Sequence, residues 1–330
     1  MDFLNPKYTD KNILEETLSL PFEMIFNPLA RNKEFDPRTV SLVKSRIEAD
    51  IKSLKESPKR YALLEALKTL GNKTPSSLGS VGSVENLESI TPTSLYKYYE
   101  KVLKHDHVDI YIIGDLDMDE VKEIISNHAK FKTIKNKNIE LYVKNPKKQI
   151  KNIKDKFIYL QTNIVLILHL NNLTEYEKKY VANVYNVILG GGSLETKLYK
   201  SLRGENSLCY NVGSMYQKYD GLILITTAVD INAREKAIKL IKQSIKDMTN
   251  KITEEELSSA IMTINSSIKM SMDSIGRLID NYFYKHISDL DDFETRIKTF
   301  NEVTIKDLYK LSKKISISTI YSLEGCEPNE

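Results

Sequence analysis

Two stretches of this chain repeat one another, and that repeat constrains the fold more than any motif does. Ile90–Gly114, ITPTSLYKYYEKVLKHDHVDIYIIG, lines up with Val303–Gly325, VTIKDLYKLSKKISISTIYSLEG. Each opens on an aliphatic residue and Thr, places Leu-Tyr-Lys after it, and closes on a strand pattern containing Ile-Tyr near a Gly. Upstream, the helix expected from Asp36-Pro37 matches one from Thr253-Glu254, and residues 13–29 match 233–249. Convergence of two helix–strand units is the alternative reading.

Hydrophobic periodicity predicts helices over 13–29, 37–55, 59–70 and 93–104, with Asp36 and Thr91 as N-caps. A strand over 108–114 and a helix from about 117 follow. Residues 130–156 are rich in Lys and Asn and read largely as a solvated connection, with a strand at Ile139–Val143. The second copy reads as a strand (157–170), helices (175–189 and 194–203), and strands (209–216 and 222–229). Helices over 233–249, 253–288 and 304–314 lead to a last strand over 319–323. The expected boundaries are a first domain over 1–137, a linker over 138–152 and a second domain over 153–330. The second copy has about 80 residues (153–232) before its first matched helix, whereas the first copy has only residues 1–12. The first copy is therefore expected to be incomplete, the chain starting partway through it.

Composition narrows the function. Lys and Arg number 48 against 45 Asp and Glu, so no charge excess points to nucleic acid or an anionic membrane. The lysines of 130–156 lack interleaved aromatics, and a tether explains them better than a nucleic-acid patch. Cys209 and Cys326 form neither a disulfide framework nor a zinc pattern, which fits a reducing cytoplasm. The start MDFLNPKYTD lacks a signal-peptide pattern, and the longest apolar run, Ile164–Leu168, is too short to span a bilayer. A cytoplasmic location is the expectation.

The stretch NVILGGGSLETKLYKSLRGENSLCY, Asn186–Tyr210, poses the chemical question. It lacks Gly-Lys-Ser/Thr and the third glycine of a dinucleotide loop, and a helix pattern precedes it, so a phosphate cradle is disfavoured. A turn explains the glycines better: Gly190 as a left-handed helix end, Gly191 and Gly192 as the reversal, and Ser193 as the next N-cap.

Helix, GGG, Ser, amphipathic helix, Leu-Arg, a short loop and Leu-Cys-Tyr resemble the second-domain signature of the insulinase/pitrilysin peptidases. The likeness runs almost end to end and includes ITPTSLYKYYEKV and DIYIIGD. Among bacterial branches it is most similar to the zinc-less members that accompany a zinc-bearing paralogue and are associated with 5-aminopentanol modification of an elongation factor. The resemblance implies a duplicated α+β architecture, each insulinase-type domain placing helices on one face of a largely antiparallel sheet. It also implies that Arg203 and Tyr210, seven positions apart, reach across a cavity. There the guanidinium would clamp a substrate carbonyl and the phenol would donate to the developing oxyanion. A solvated Arg and a half-buried strand Tyr are the plainer readings of each residue alone.

The family's zinc is held by His-x-x-Glu-His and a downstream Glu. None of the five histidines, His105, His107, His128, His169 and His286, completes that motif. His105 and His107 read as a surface turn, and His128 as a favourable helix-end cation. The resemblance places Arg46 at the distal ligand position, where a cation would repel zinc; a small shift in alignment would bring in Glu48 or Glu56. Tyr96, Tyr98, Tyr99, Tyr282 and Tyr284 read as amphipathic fillers, and Cys209 as a buried strand residue. The expectation is a chain without its own metal, with zinc only in a partner or in further N-terminal sequence. Expected partners are a peptide or protein substrate and a zinc-bearing paralogue or a second copy. An active peptidase whose His-x-x-Glu-His lies upstream, and a non-enzymatic peptide-binding or assembly scaffold, stay open.

Overall fold

The computed structural model describes Tyr8 and residues 13–71, 75–77, 79, 82–132, 150–192 and 194–326. The strand expected at 139–143 and most of the expected linker lie outside them. Contacts group the chain into two compact units: Met1–Ile51, Gly82–Ile139 and Ser274–Ile287 in one, and Lys52–Val81, Glu140–Asp273 and Ser288–Glu330 in the other.

In the first unit, helix α1 (Leu14–Phe26) leads through a hairpin of β1 (Ala30–Arg31) and β2 (Glu34–Phe35) into α2 (Pro37–Ser53). Asp36 caps α2, its Oδ2 accepting the Thr39 amide at 2.8 Å. The following helix, α3 (Pro58–Lys68), belongs to the second unit. The chain then returns as α4 (Val84–Glu88), α5 (Pro92–His105) and α6 (Met118–His128). Leu14 and Leu18 pack on Val121 and Ile124, and Ile112 leans on that cluster. The strand expected over 108–114 is not formed: no strand pairs with it among the described residues. Its Ile112 finds burial against α1 and α6, while Val108 and Ile110 remain exposed, so packing takes over what a ladder would have done.

The second unit holds a five-stranded sheet in the order β3-β7-β4-β6-β5. Its strands are β3 (Lys151–Phe157), β4 (Thr162–Leu170), β5 (Val212–Gln217), β6 (Leu222–Val229) and β7 (Ile315–Gly325). Only the β3–β7 pair is parallel. β3, KNIKDKF, falls where a solvated connection was expected. An edge strand needs backbone pairing alone, and lysines on its open side suit it while making it look like a linker.

Every residue of β4 is buried. Its run NIVLILHL lacks polar alternation because both faces of the strand are covered. Ile164, Leu166 and Leu168 face the large core made with α7 (Ala182–Leu189), α8 (Lys197–Tyr199), α9 (Arg234–Asp247) and α10 (Glu254–Met272). Val165 and Ile167 face the other way, onto Ala62, Ala66 and Leu67 of α3.

The long helix expected over 253–288 is two helices, α10 and α11 (Ile275–Ser288), which end and begin at the break between the units. Asp273 and Ser274 interrupt it, short polar residues whose side chains compete for backbone hydrogen bonds. α12 (Phe293–Asn301) was not expected; its Phe293, Ile297 and Phe300 have helical spacing, and Asp292 caps it through the Thr295 amide at 2.8 Å. α13 (Ile305–Ser312) closes the run. Thr304 on α13 and Thr91 on α5 head equivalent capping boxes, so the repeat seen in sequence is a repeat in local structure.

Candidate functional site

The glycine turn is built by close approach. The amides of Gly190 and Gly191 both donate to the Asn186 carbonyl, at 3.0 and 2.8 Å, ending α7. The Gly190 carbonyl then accepts the Ser214 amide of β5 at 2.9 Å. A Cβ on Gly190 would lie 2.7 Å from Leu198 Cδ1 and 3.0 Å from the Ser214 nitrogen. Gly190 is extended at φ −171°, not left-handed as expected; of the three only Gly192, at φ +154°, has a positive φ. The requirement at Gly190 is room, not a left-handed backbone. Ser193 lies outside the described residues, and Thr196 caps α8, its Oγ1 accepting the Tyr199 amide at 3.3 Å.

A π-helical turn over Lys200–Gly204 continues α8. The Ser207 amide donates to the Arg203 carbonyl at 3.0 Å, and that of Leu208 to Leu202 at 2.9 Å. With Ser207 at φ 50°, this folds the chain back beside the turn. The seven-residue spacing therefore closes a loop. Arg203 Nη1 donates to the Tyr210 carbonyl at 2.6 Å, and its guanidinium carbon lies 4.7 Å from the centre of the Tyr210 ring. Tyr199 receives the same guanidinium at 5.3 Å. Each stacking is worth about 0.5–1 kcal/mol at an exposed site. Tyr199 was missed by sequence reasoning, although it stands one helical turn before Arg203, a spacing at which side chains meet. Tyr210 is not a half-buried strand residue: β5 begins only at Val212, and Tyr210 is 82% exposed. Its strand assignment failed because the return loop occupies the positions before β5. Cys209 is buried, as expected, though outside the strand. Arg203 thus keeps N–H donors beyond the one it uses, next to an outward phenol.

The metal-ligand types are dispersed. His169 is buried on β4, and His128 Nε2 lies 3.4 Å from Glu15 on the surface of the first unit. Arg46 is exposed on α2, Glu48 is half-buried two residues along, and Glu56 is exposed beyond the end of the helix. One group among the described residues has ligand atoms close together: His107, Asp109 and His286. Asp109 Oδ1 lies 3.0 Å from His107 Nε2 and 3.7 Å from His286 Nε2, and the two imidazoles stack. Sequence separation hid this trio. It lacks the Glu of the insulinase motif, and His-x-x-Glu-His occurs nowhere in the 330 residues. The donors among the described residues do not fit the family's catalytic zinc.

The peptidase M16 inactive domain matches residues 89–264, more than half of the chain. The chain belongs to the M16, or insulinase-type, peptidase family. The probable inactive metalloprotease YmfF of Bacillus subtilis is 24% identical over 332 residues, covering 99% of this chain and 78% of that protein. A conserved protein from Enterococcus faecalis V583 shares the fold with a TM-score of 0.90 at 24% identity, over 99% of this chain and 78% of the other. The peptidase M16 inactive domain protein of Pseudomonas fluorescens follows at 0.76 and 20%, over 94% and 75%. The chain carries the match to the M16 inactive domain and has the α+β fold that the family resemblance implies. No helix among the described residues is long and apolar enough to cross a membrane.

Proposed function

We propose that this M16 homologue is a peptide-binding subunit that acts beside a zinc-bearing paralogue. It contributes Arg203 and Tyr210 to the site where the partner holds metal and general base. The observation that carries the reading is the Arg203–Tyr210 pair itself. The guanidinium is fixed by its bond to the Tyr210 carbonyl and by two aromatic rings, while the phenol stays exposed. A guanidinium so held loses little further entropy on clamping a peptide carbonyl, and a nearby phenol suits an oxyanion. β5, the edge strand that follows Tyr210, gives an extended peptide a backbone to pair with.

The test is reconstitution with the zinc-bearing paralogue captured from the same cell lysate, with metal-dependent cleavage of a peptide mixture as readout. Arg203→Ala and Tyr210→Phe are each expected to lower the rate about 100-fold, the usual effect of losing one oxyanion donor. Unchanged cleavage by both variants would remove the reading. Peptide binding without turnover in any pairing would make the chain a scaffold instead.

A further inference from the structure

The second unit contains a cavity of about 330 Å³ between the turn that precedes α7, the glycine loop, the β5–β6 turn, α10 and α12. Three cations line it, Lys179, Lys218 and Arg296, against one carboxylate, Asp291. That carboxylate is already engaged. Asp291 Oδ2 accepts the Tyr180 hydroxyl at 2.5 Å and lies 3.3 Å from Lys179 Nζ, which also donates to the Asp289 carbonyl at 2.6 Å.

Lys218 is the anomaly. Its ammonium is half-buried and has no hydrogen bond or ion pair among the described residues, resting only over the Tyr219 ring at 5.6 Å. Burial pulls its pKa below the ordinary lysine range, and the neighbouring Lys179 adds to the effect. Arg296 is likewise pulled down by burial. A desolvated ammonium such as Lys218, with no hydrogen bond or ion pair among the described residues, is costly, and the usual remedy is an anion.

A second anomaly lies on the same wall. Asn186 Oδ1 is buried, has no hydrogen-bond partner among the described residues, and belongs to a residue lining the cavity. Gly191 leaves room for the Asn186 amide nitrogen, since a Cβ there would collide with Nδ2. A buried acceptor left empty calls for a donor.

We propose that this cavity binds a small oxyanion, a phosphate or carboxylate group that also carries an O–H or N–H. The charge would be met by Lys218 and Arg296 with help from Lys179, and the donor by Asn186 Oδ1. Hydrogen phosphate and a hydroxy-carboxylate both meet this description, and the site stands independently of the peptide-binding reading.

The experiment is thermal unfolding of the full chain at neutral pH and matched ionic strength, in chloride, in inorganic phosphate and in glycolate, each anion at about 20 mM. The wild type is expected to gain a few degrees in phosphate or in glycolate, and which of the two raises Tm names the source. Lys218→Met keeps the apolar stem and removes the unpaired charge. It should unfold at a higher temperature than wild type in chloride and show no gain with either anion. Arg296→Gln should lose the gain without the rise in chloride. No gain for the wild type in either anion, or an equal gain in Lys218→Met, would overturn the site.

Discussion

Gly190→Ala tests whether the glycine turn is a matter of space. The new methyl would sit 2.7 Å from Leu198 Cδ1 and 3.0 Å from both the nitrogen and Oγ of Ser214. Leu198 is fully buried and the Ser214 nitrogen is strand backbone, so neither gives easily. Overpacking of this kind costs about 1–3 kcal/mol. Pushing the turn off β5 also weakens the 2.9 Å bond from the Ser214 amide to the Gly190 carbonyl, about 1 kcal/mol more. Against this, alanine restricts the unfolded chain and returns roughly 0.4–1 kcal/mol. The net loss is about 1–3 kcal/mol, a fall in Tm of roughly 3–10 °C for a domain of this size. Thermal unfolding followed by circular dichroism reads it directly. Gly276→Ala in α11 is the control: its Cβ meets nothing within 4 Å, so the substitution should be neutral or stabilising by up to about 1 kcal/mol. A Gly190→Ala protein that melts at or above the wild-type temperature would refute the claim that this turn is fixed by contact with Leu198 and Ser214.

Other substitutions probe the packing around it. Ala66→Leu, at a site with no exposure beneath the sheet, should cost about 1–3 kcal/mol by overpacking; equal stability in urea would show that α3 does not cover that face. Glu177 is buried, which works to raise its pKa. Two 2.7 Å bonds from Lys314 and one from the Thr174 amide outweigh burial and leave it below its ordinary value of 4.5. Its contribution is thus present above pH 4.5 and lost as pH falls through the lower folded value. Glu177→Gln should cost roughly 1–3 kcal/mol at neutral pH and flatten the acid limb of a stability–pH curve; an unchanged acid limb would refute this assignment. Lys44→Met removes the ammonium that donates to the Glu88 and Ile90 carbonyls at 3.2 and 2.8 Å, and a loss of about 1 kcal/mol is expected in denaturant titration. Tyr210→Phe, at an exposed ring, should leave the melting temperature unchanged, separating its proposed functional role from any structural one.

Local features were legible in the sequence where the physics is local. Asp36, Thr91 and Thr253 announce helix starts because a cap needs only a side-chain oxygen and an amide two or three residues on. The Ile90–Gly114 and Val303–Gly325 repeat was visible in the sequence, whereas the α+β class and the pairing of Arg203 with Tyr210 came from the family resemblance. Legibility ended where neighbours decide. Residues 108–114 and 315–325 carry similar patterns, yet only the second becomes a strand, because only it has β3 and β4 to pair with. β3 was hidden by its lysines, since an edge strand needs no apolar signature.

The sequence by itself determined the helix caps, the repeated capping boxes at Thr91 and Thr304, the absence of His-x-x-Glu-His and the positions of the glycines. These depend on neighbours along the chain or on composition. Only the tertiary structure decided that Gly190 is needed for contact with β5 and that Tyr199 completes the cradle of Arg203. It alone joined His286 to Asp109 and left Lys218 with no ion pair among the described residues. Those outcomes rest on distances between residues remote in sequence, and periodicity carries no record of them.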